Sequence, residues 1–243
     1  MLLSASNVWS GYGDIVILSG VDLQVDVGER VAVLGRNGVG KTTLVRALSG
    51  ALPCKRGAIR FNGEEITSEA AHERARKGIA YVPQGRQIFS QLTVLENMLV
   101  GAYAAGFNNA RVVQMTDELL TYFQTLKPKL KDLGGSLSGG QQQLLALARA
   151  LMTEPKILLL DEPSEGIQPS LLDDIAEVLN KVSNDTGLAV LLVEQNLDFA
   201  KKLASRGYLM ESGRIRRNVA IDESANNGEL ERELFGAVAS TGA

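Results

Sequence analysis

The segment Gly35-Arg36-Asn37-Gly38-Val39-Gly40-Lys41-Thr42-Thr43 constrains this chain more than any other. It joins an apolar run, Val31–Leu34, to a stretch of helical periodicity, Thr42–Leu48. A strand, a glycine-rich turn and a helix in that order make a P-loop. The glycines let backbone N–H groups close around phosphate oxygens where a Cβ would block the turn. The helix that follows begins at the phosphates, and its N-terminus carries roughly half a positive charge. Lys41 adds a full charge aimed at the β- and γ-phosphates, and the Thr42 hydroxyl suits Mg²⁺. The bland alternative is a glycine-rich turn before an ordinary helix, and the flanking strand and helix count against it.

Other segments carry matching chemistry. Ile157–Leu160 is an apolar strand ending in Asp161 and Glu162. A carboxylate at the C-terminal end of a parallel strand faces the crevice where such sheets bind ligands. Asp161 suits a metal site and Glu162 a base that polarises water, although any solvated acid can end a strand. Gln84 follows the strand Ile79–Val82 and Pro83. It reads either as a surface glutamine or as an amide touching Mg²⁺ or water. Tyr12, between Gly11 and Gly13, is either a core tyrosine or a ring presented to a base. Ser138-Gly139-Gly140-Gln141 opens a helix-like run and forms a second phosphate cradle, with a hydroxyl, unobstructed N–H groups and a helix start. His72, the only histidine, sits in a polar helical stretch away from these motifs and reads as a surface residue.

Between the motifs, residues 1–30 alternate apolar and polar with glycine breaks, the pattern of antiparallel strands. Ala58–Phe61 reads as a strand closed by the Asn62-Gly63 turn. Residues 93–130 change character, with helical segments at Val94–Val100 and Gln114–Leu126. Helix 140–152, strand 157–161, helix 169–182, strand 188–193 and helix 197–204 then alternate, which predicts a parallel sheet with crossover helices. Beyond Asn226 one short helix is expected at Glu229–Phe235. The 243 residues suffice for one large α/β domain. The formal charge of −3 argues against a nucleic-acid partner, and the single Cys54 fits a reducing compartment. The N-terminus lacks a signal peptide's pattern. No apolar run approaches the roughly 20 residues of a membrane span, so the expected location is cytoplasmic, with any membrane role supplied by a partner.

In order and spacing, Tyr12, the P-loop, Gln84, Leu137–Gln141 and Asp161-Glu162 resemble an ATP-binding-cassette (ABC) subunit over nearly the whole chain. The resemblance implies one ABC domain over residues 1–243. Its expected parts are a RecA-like P-loop NTPase core, an antiparallel β subdomain and a signature-bearing helical subdomain at about 90–150. It implies ATP and Mg²⁺, with Tyr12 stacking on adenine, residues Gly35–Thr43 on the phosphates, and Thr42, Gln84 and Asp161 at the metal. Ser138–Gln141 would close over a partner subunit's ATP. The expected activity is ATP hydrolysis coupled to import, on the inner face of the plasma membrane beneath transmembrane permease subunits.

A finer resemblance is to the branched-chain amino acid and urea importer group. The Val82-Pro83-Gln84 and Glu165-Gly166-Ile167-Gln168-Pro169 wording looks more like the urea subunit, making urea or a short amide the expected solute and branched-chain amino acids the alternative. Most ABC subunits carry a histidine where this chain has Gln195, a neutral donor in place of a chargeable one. The resembled subfamily often shares that glutamine and pairs with a second, non-identical ATPase. A heterodimer is therefore expected, with a weak homodimer accessible in isolation. A soluble ABC protein without a transport role is disfavoured because the chain has neither a second cassette nor a long coiled insert. A regulatory module with little hydrolysis is opposed by Glu162 and left open by Gln195.

Overall fold

The computed structural model describes residues 1–221 and 228–235. A four-stranded antiparallel sheet has the order β2-β1-β4-β5, from β1 (Leu3–Tyr12), β2 (Ile15–Val25), β4 (Cys54–Phe61) and β5 (Glu64–Glu65). The alternating N-terminal segment thus pairs as expected, with Leu3 opposite Val25 and Tyr12 opposite Ile15. Asn62 and Gly63 both take positive φ, as a tight hairpin between β4 and β5 requires.

The second sheet has six strands in the order β10-β9-β3-β8-β7-β6. Four of them, β3 (Arg30–Leu34), β6 (Ile79–Val82), β7 (Ile157–Asp161) and β8 (Ala189–Glu194), run parallel. β9 (Arg206–Glu211) extends the parallel set beside β3, and β10 (Arg214–Ala220) returns antiparallel. Period-two alternation within β7 sends Ile157 and Leu159 into one core, with the antiparallel sheet and α1 (Lys41–Ser49). Leu158 and Leu160 enter the other core, with α5 (Gly139–Leu151), α6 (Pro169–Thr186) and α7 (Leu197–Leu203). A strand buried on both faces reads as a continuous apolar run, which is why β7 and β8 stand out in the sequence.

Between β6 and β7 lie α3 (Val94–Ala104), α4 (Asn109–Leu120) and α5. The expected helix Gln114–Leu126 begins earlier and ends at Leu120. Asn108 caps its N-terminus through Arg111 N, and Thr121–Leu126 continues as turns. The strands β9 and β10 carry less regular alternation and had no counterpart in the sequence reading. The short C-terminal helix is α8 (Gly228–Phe235); the rest of the expected tail, 226–227 and 236–243, lies outside the described residues.

The P-loop helix α1 is closed at its far end by a residue from α2 (Ala71–Lys77). Arg74, 1 % exposed, donates through Nη1 to the carbonyls of Ala47 and Leu48, both at 2.8 Å. Its Nη2 reaches Thr67 O at 3.0 Å and its Nε reaches Glu69 O at 3.1 Å. The Nη1 bonds reach carbonyls in the last turn of α1, where the end of a helix leaves carbonyls without intrahelical partners, and the other two tie Arg74 to the loop before α2. Replacing Arg74 by Met keeps the apolar stem and removes every donor. Arg74→Met should lower unfolding stability by about 2–4 kcal/mol, read as a shift of the urea midpoint at unchanged slope; an unshifted midpoint would show that water replaces those donors.

Candidate functional site

The parallel register brings four strand ends to one edge of the sheet. Leu34 lies opposite Glu194, Asp161 opposite Val193, and Val82 opposite Leu160. The residues just past those ends are the P-loop, Glu162, Gln84 and Gln195. In the P-loop, Gly38 and Gly40 take φ of 81° and 110°, a region an L side chain rarely occupies. Lys41 is 2 % exposed, and its ammonium donates to Gly35 O at 2.8 Å and Arg36 O at 2.9 Å. It also pairs with Glu162 Oε1 at 2.8 Å.

Asp161 is held at both oxygens. Thr42 Oγ1 donates to Oδ1 at 2.9 Å, and the Tyr81 hydroxyl donates to Oδ2 at 3.0 Å. Burial pushes this carboxyl up from its ordinary pKa, against the two hydroxyl bonds that favour the anion. Burial and the neighbouring Asp161 charge also raise the Tyr81 phenol, so it stays protonated and donating. Glu162 has φ 46°, a strained backbone for a side chain of its size, and its amide is anchored to Val193 O at 3.0 Å. Gln84 Nε2 donates to Glu165 Oε2 at 2.7 Å and to Glu162 Oε2 at 3.4 Å, and its Oε1 accepts no hydrogen bond among the described residues. Thr42 Oγ1 and Asp161 meet directly, oxygen donors of the kind Mg²⁺ takes alongside substrate phosphates, and the Gln84 side chain lies against Glu162, next along the chain.

Tyr12 is 42 % exposed, at the tip of the β1–β2 hairpin and outside the core. Its hydroxyl accepts from Arg46 Nη1 at 3.2 Å. Gln195 is half-buried, and its side-chain amide makes no protein hydrogen bond among the described residues. His72 is exposed on α2, as read from the sequence.

The second cradle is separate. No hydrogen bond or ion pair among the described residues joins Ser138, Gly139, Gly140 or Gln141 to the P-loop or to Asp161 and Glu162. Ser138 caps α5: its Oγ accepts from Gln141 N at 3.4 Å, and its own N–H donates to Gln141 Oε1 at 3.2 Å. The cap uses the hydroxyl as an acceptor and leaves its proton free to donate. A Cβ on Gly140 would come within 2.3 Å of Leu171 Cδ1 on α6, so a larger residue there would require the Leu171 side chain to move. Arg86, φ 67°, reaches from the Gln84 loop to Gly166 O at 3.3 Å and to Gln142 Oε1 at 3.5 Å.

Three participants escaped the sequence reading. Arg46 and Arg86 have no local pattern to betray them. Glu194 had a signal: like Asp161, it is an acid closing an apolar strand.

The description "ABC transporter" fits residues 18–165, where a family model matches. The chain is 44 % identical over 214 residues to BraG of Pseudomonas aeruginosa, a high-affinity branched-chain amino acid transport ATP-binding protein, covering 88 % of this chain and 91 % of that one. It is 36 % identical to the probable branched-chain amino acid transport ATP-binding protein LivF of Archaeoglobus fulgidus, over 94 % and 96 % of the two chains. LptB of Haemophilus influenzae, a lipopolysaccharide export ATP-binding protein, is 33 % identical over 97 % of each. The fold superposes on a nucleotide-free ATP-binding cassette of an ABC transporter with TM-score 0.81 and 28 % identity, over 90 % of this chain and 91 % of that one. For the ADP conformation of MJ1267, an ATP-binding cassette of an ABC transporter, the values are 0.79 and 29 % over the same shares. With a family model over residues 18–165, a relative 44 % identical over most of both chains and a shared fold, the chain belongs to the ABC transporter family as a nucleotide-binding ATPase.

Proposed function

We propose that this chain is the ATP-hydrolysing subunit of an ABC importer for branched-chain amino acids. The observation that carries the enzymatic part is the meeting of Lys41, Thr42, Asp161 and Glu162 at one edge of the sheet. Gly35–Thr43 cradle the phosphates, with Lys41 on the β/γ oxygens. Thr42, Asp161 and Gln84 would hold Mg²⁺, whose chemistry there is to neutralise charge on the phosphate oxygens. Glu162 polarises the attacking water. Gln195 offers a neutral hydrogen bond to the γ-phosphate, and Tyr12 offers its ring to adenine. Ser138–Gln141 serve a second subunit's nucleotide, the Ser138 hydroxyl donating to its γ-phosphate. Residues 1–243 form one cassette, with about 90–150 as its signature-bearing part.

The solute reading rests on BraG and LivF, whose names specify branched-chain amino acid transport. These relatives favour that solute over the urea or short amide suggested by Val82-Pro83-Gln84. The partners are permease subunits and a second, non-identical ATPase; a homodimer is the weaker assembly. No helix among the described residues is long and apolar enough to cross a membrane, which supports attachment to the inner face of the plasma membrane through the permeases. In proteoliposomes holding the complete importer, ATP-driven uptake of leucine and no uptake of urea is the expected result. Urea uptake without leucine uptake would overturn the solute reading and leave the ATPase reading intact.

The Lys41–Glu162 pair sets two opposed expectations. Glu162→Gln removes the charge that competes with phosphate for Lys41, so ATP affinity should hold or rise. Hydrolysis in the assembled importer should fall about 10²–10⁴-fold, as when a positioned acid–base group is lost. Lys41→Ala should weaken ATP binding itself, because a charge-assisted phosphate contact disappears. Normal turnover in Glu162→Gln would show that another group acts as the base.

The resemblance to cassettes whose second cradle closes over a partner subunit's nucleotide, with no bond joining the two cradles here, predicts action in trans. Ser138→Arg places a bulky side chain at the start of α5, and should leave ATP binding by the isolated chain unchanged while blocking turnover in the assembled importer. Loss of ATP binding by the isolated Ser138→Arg chain would place the second cradle on its own nucleotide.

A further inference from the structure

Glu194 is 2 % exposed, and among the described residues no cation pairs with it. Each of its polar groups instead holds a backbone amide of a different loop segment. Side-chain Oε1 accepts from Ser164 N at 2.9 Å, in the turn that follows Glu162. Side-chain Oε2 accepts from Gln195 N and Asn196 N, both at 3.0 Å. Its main-chain carbonyl accepts from Gly35 N at 3.2 Å, where the P-loop begins.

We infer that Glu194 is a positioning residue for hydrolysis, fixing the P-loop, the Glu162–Ser164 turn and the Gln195 turn in one geometry. A buried carboxylate is costly unless hydrogen bonds satisfy it, and here three backbone amides and the Ser164 side chain do so. The bonds are mutually dependent, since one rigid planar group sets the spacing between two turns that lie 30 residues apart. Asp161 closes the adjacent strand with hydroxyl partners and faces the metal donors; Glu194 closes its strand with amide partners and faces the loops. No atom of Glu194 has to touch the nucleotide for this role. Displacement of a reacting group by about 1 Å costs on the order of 10²-fold in rate, so a brace shared by the base and the γ-phosphate contact acts on turnover more than on binding.

Glu194→Gln tests this. The amide keeps the shape and one acceptor, but its NH₂ must face either Ser164 N–H or the Gln195 and Asn196 N–H pair. In the assembled importer kcat should fall about 10–100-fold, while KM for ATP and the affinity of the full chain for a fluorescent ATP analogue stay within about twofold. Hydrogen exchange on the full chain should accelerate together in peptides covering 162–168 and 194–199. If Glu194→Gln does not fold, Glu194→Asp carries the same test, because the shorter acid cannot span both turns. Unchanged kcat, a loss confined to KM, or faster exchange in only one of the two peptides would overturn the inference. The inference rests on the proposed roles of Glu162 and Gln195, and Gln195→Ala separates the two: normal turnover there removes the γ-phosphate role of Gln195 and leaves the exchange result to decide on Glu194.

Discussion

Parallel pairing of β3 with β8, and of β8 with β7, is the constraint on which the site depends. Because the strands run the same way, their C-terminal residues fall on one edge: Leu34 beside Glu194, and Val193 beside Asp161. A shift of one residue in β7 would send Leu158 and Leu160 to the wrong core and carry Asp161 out of reach of Thr42. The same apolar packing that fixes the register therefore fixes the acids. Hydrophobic burial sets where the chemistry sits, and hydrogen bonds set how it points.

Every buried charge at this edge is compensated, each by different means. Lys41 has two carbonyls and Glu162, Asp161 has two hydroxyls, and Glu194 has three amides. The Lys41–Glu162 pair, with side chains 2 % and 14 % exposed, is the one a phosphate would compete with directly. Breaking such a pair without replacement leaves a buried charge exposed to a strong penalty. In the proposed site, a triphosphate arriving at Lys41 would offer that replacement and free Glu162 for water. Asp161 and Glu194, whose partners are neutral donors, need no such exchange.

The most legible parts of the chain in the sequence were those whose physics is local. The P-loop declares itself because Gly38 and Gly40 must adopt positive φ between a strand and a helix. The strands β7 and β8 declare themselves because burial on both faces leaves unbroken apolar runs. By contrast, β9 and β10 are edge-side strands whose residues alternate poorly, as in Arg214-Ile215-Arg216-Arg217, and pairing rather than pattern defines them. The overlong helix at Gln114–Leu126 failed because its apolar residues beyond Leu120 fill the core from turns. Arg46 and Arg86, and Arg74 in its bonds to Ala47 and Leu48, act across distance in the chain, so no local window contains those partners. Gly140 was legible as part of a motif, but its packing neighbour, the Leu171 side chain, belongs to another helix.

The central claim is that one strand-end edge binds the triphosphate and exchanges Lys41 from carboxylate to phosphate. A crystal structure of the unaltered chain with Mg²⁺ and a non-hydrolysable ATP analogue tests it most directly. The account predicts the triphosphate inside Gly35–Thr43, the Lys41 ammonium on phosphate oxygens, and Asp161 still bound to Thr42 or sharing the metal with it. A triphosphate located elsewhere, or Lys41 still turned to residue 162 with nucleotide present, would contradict it.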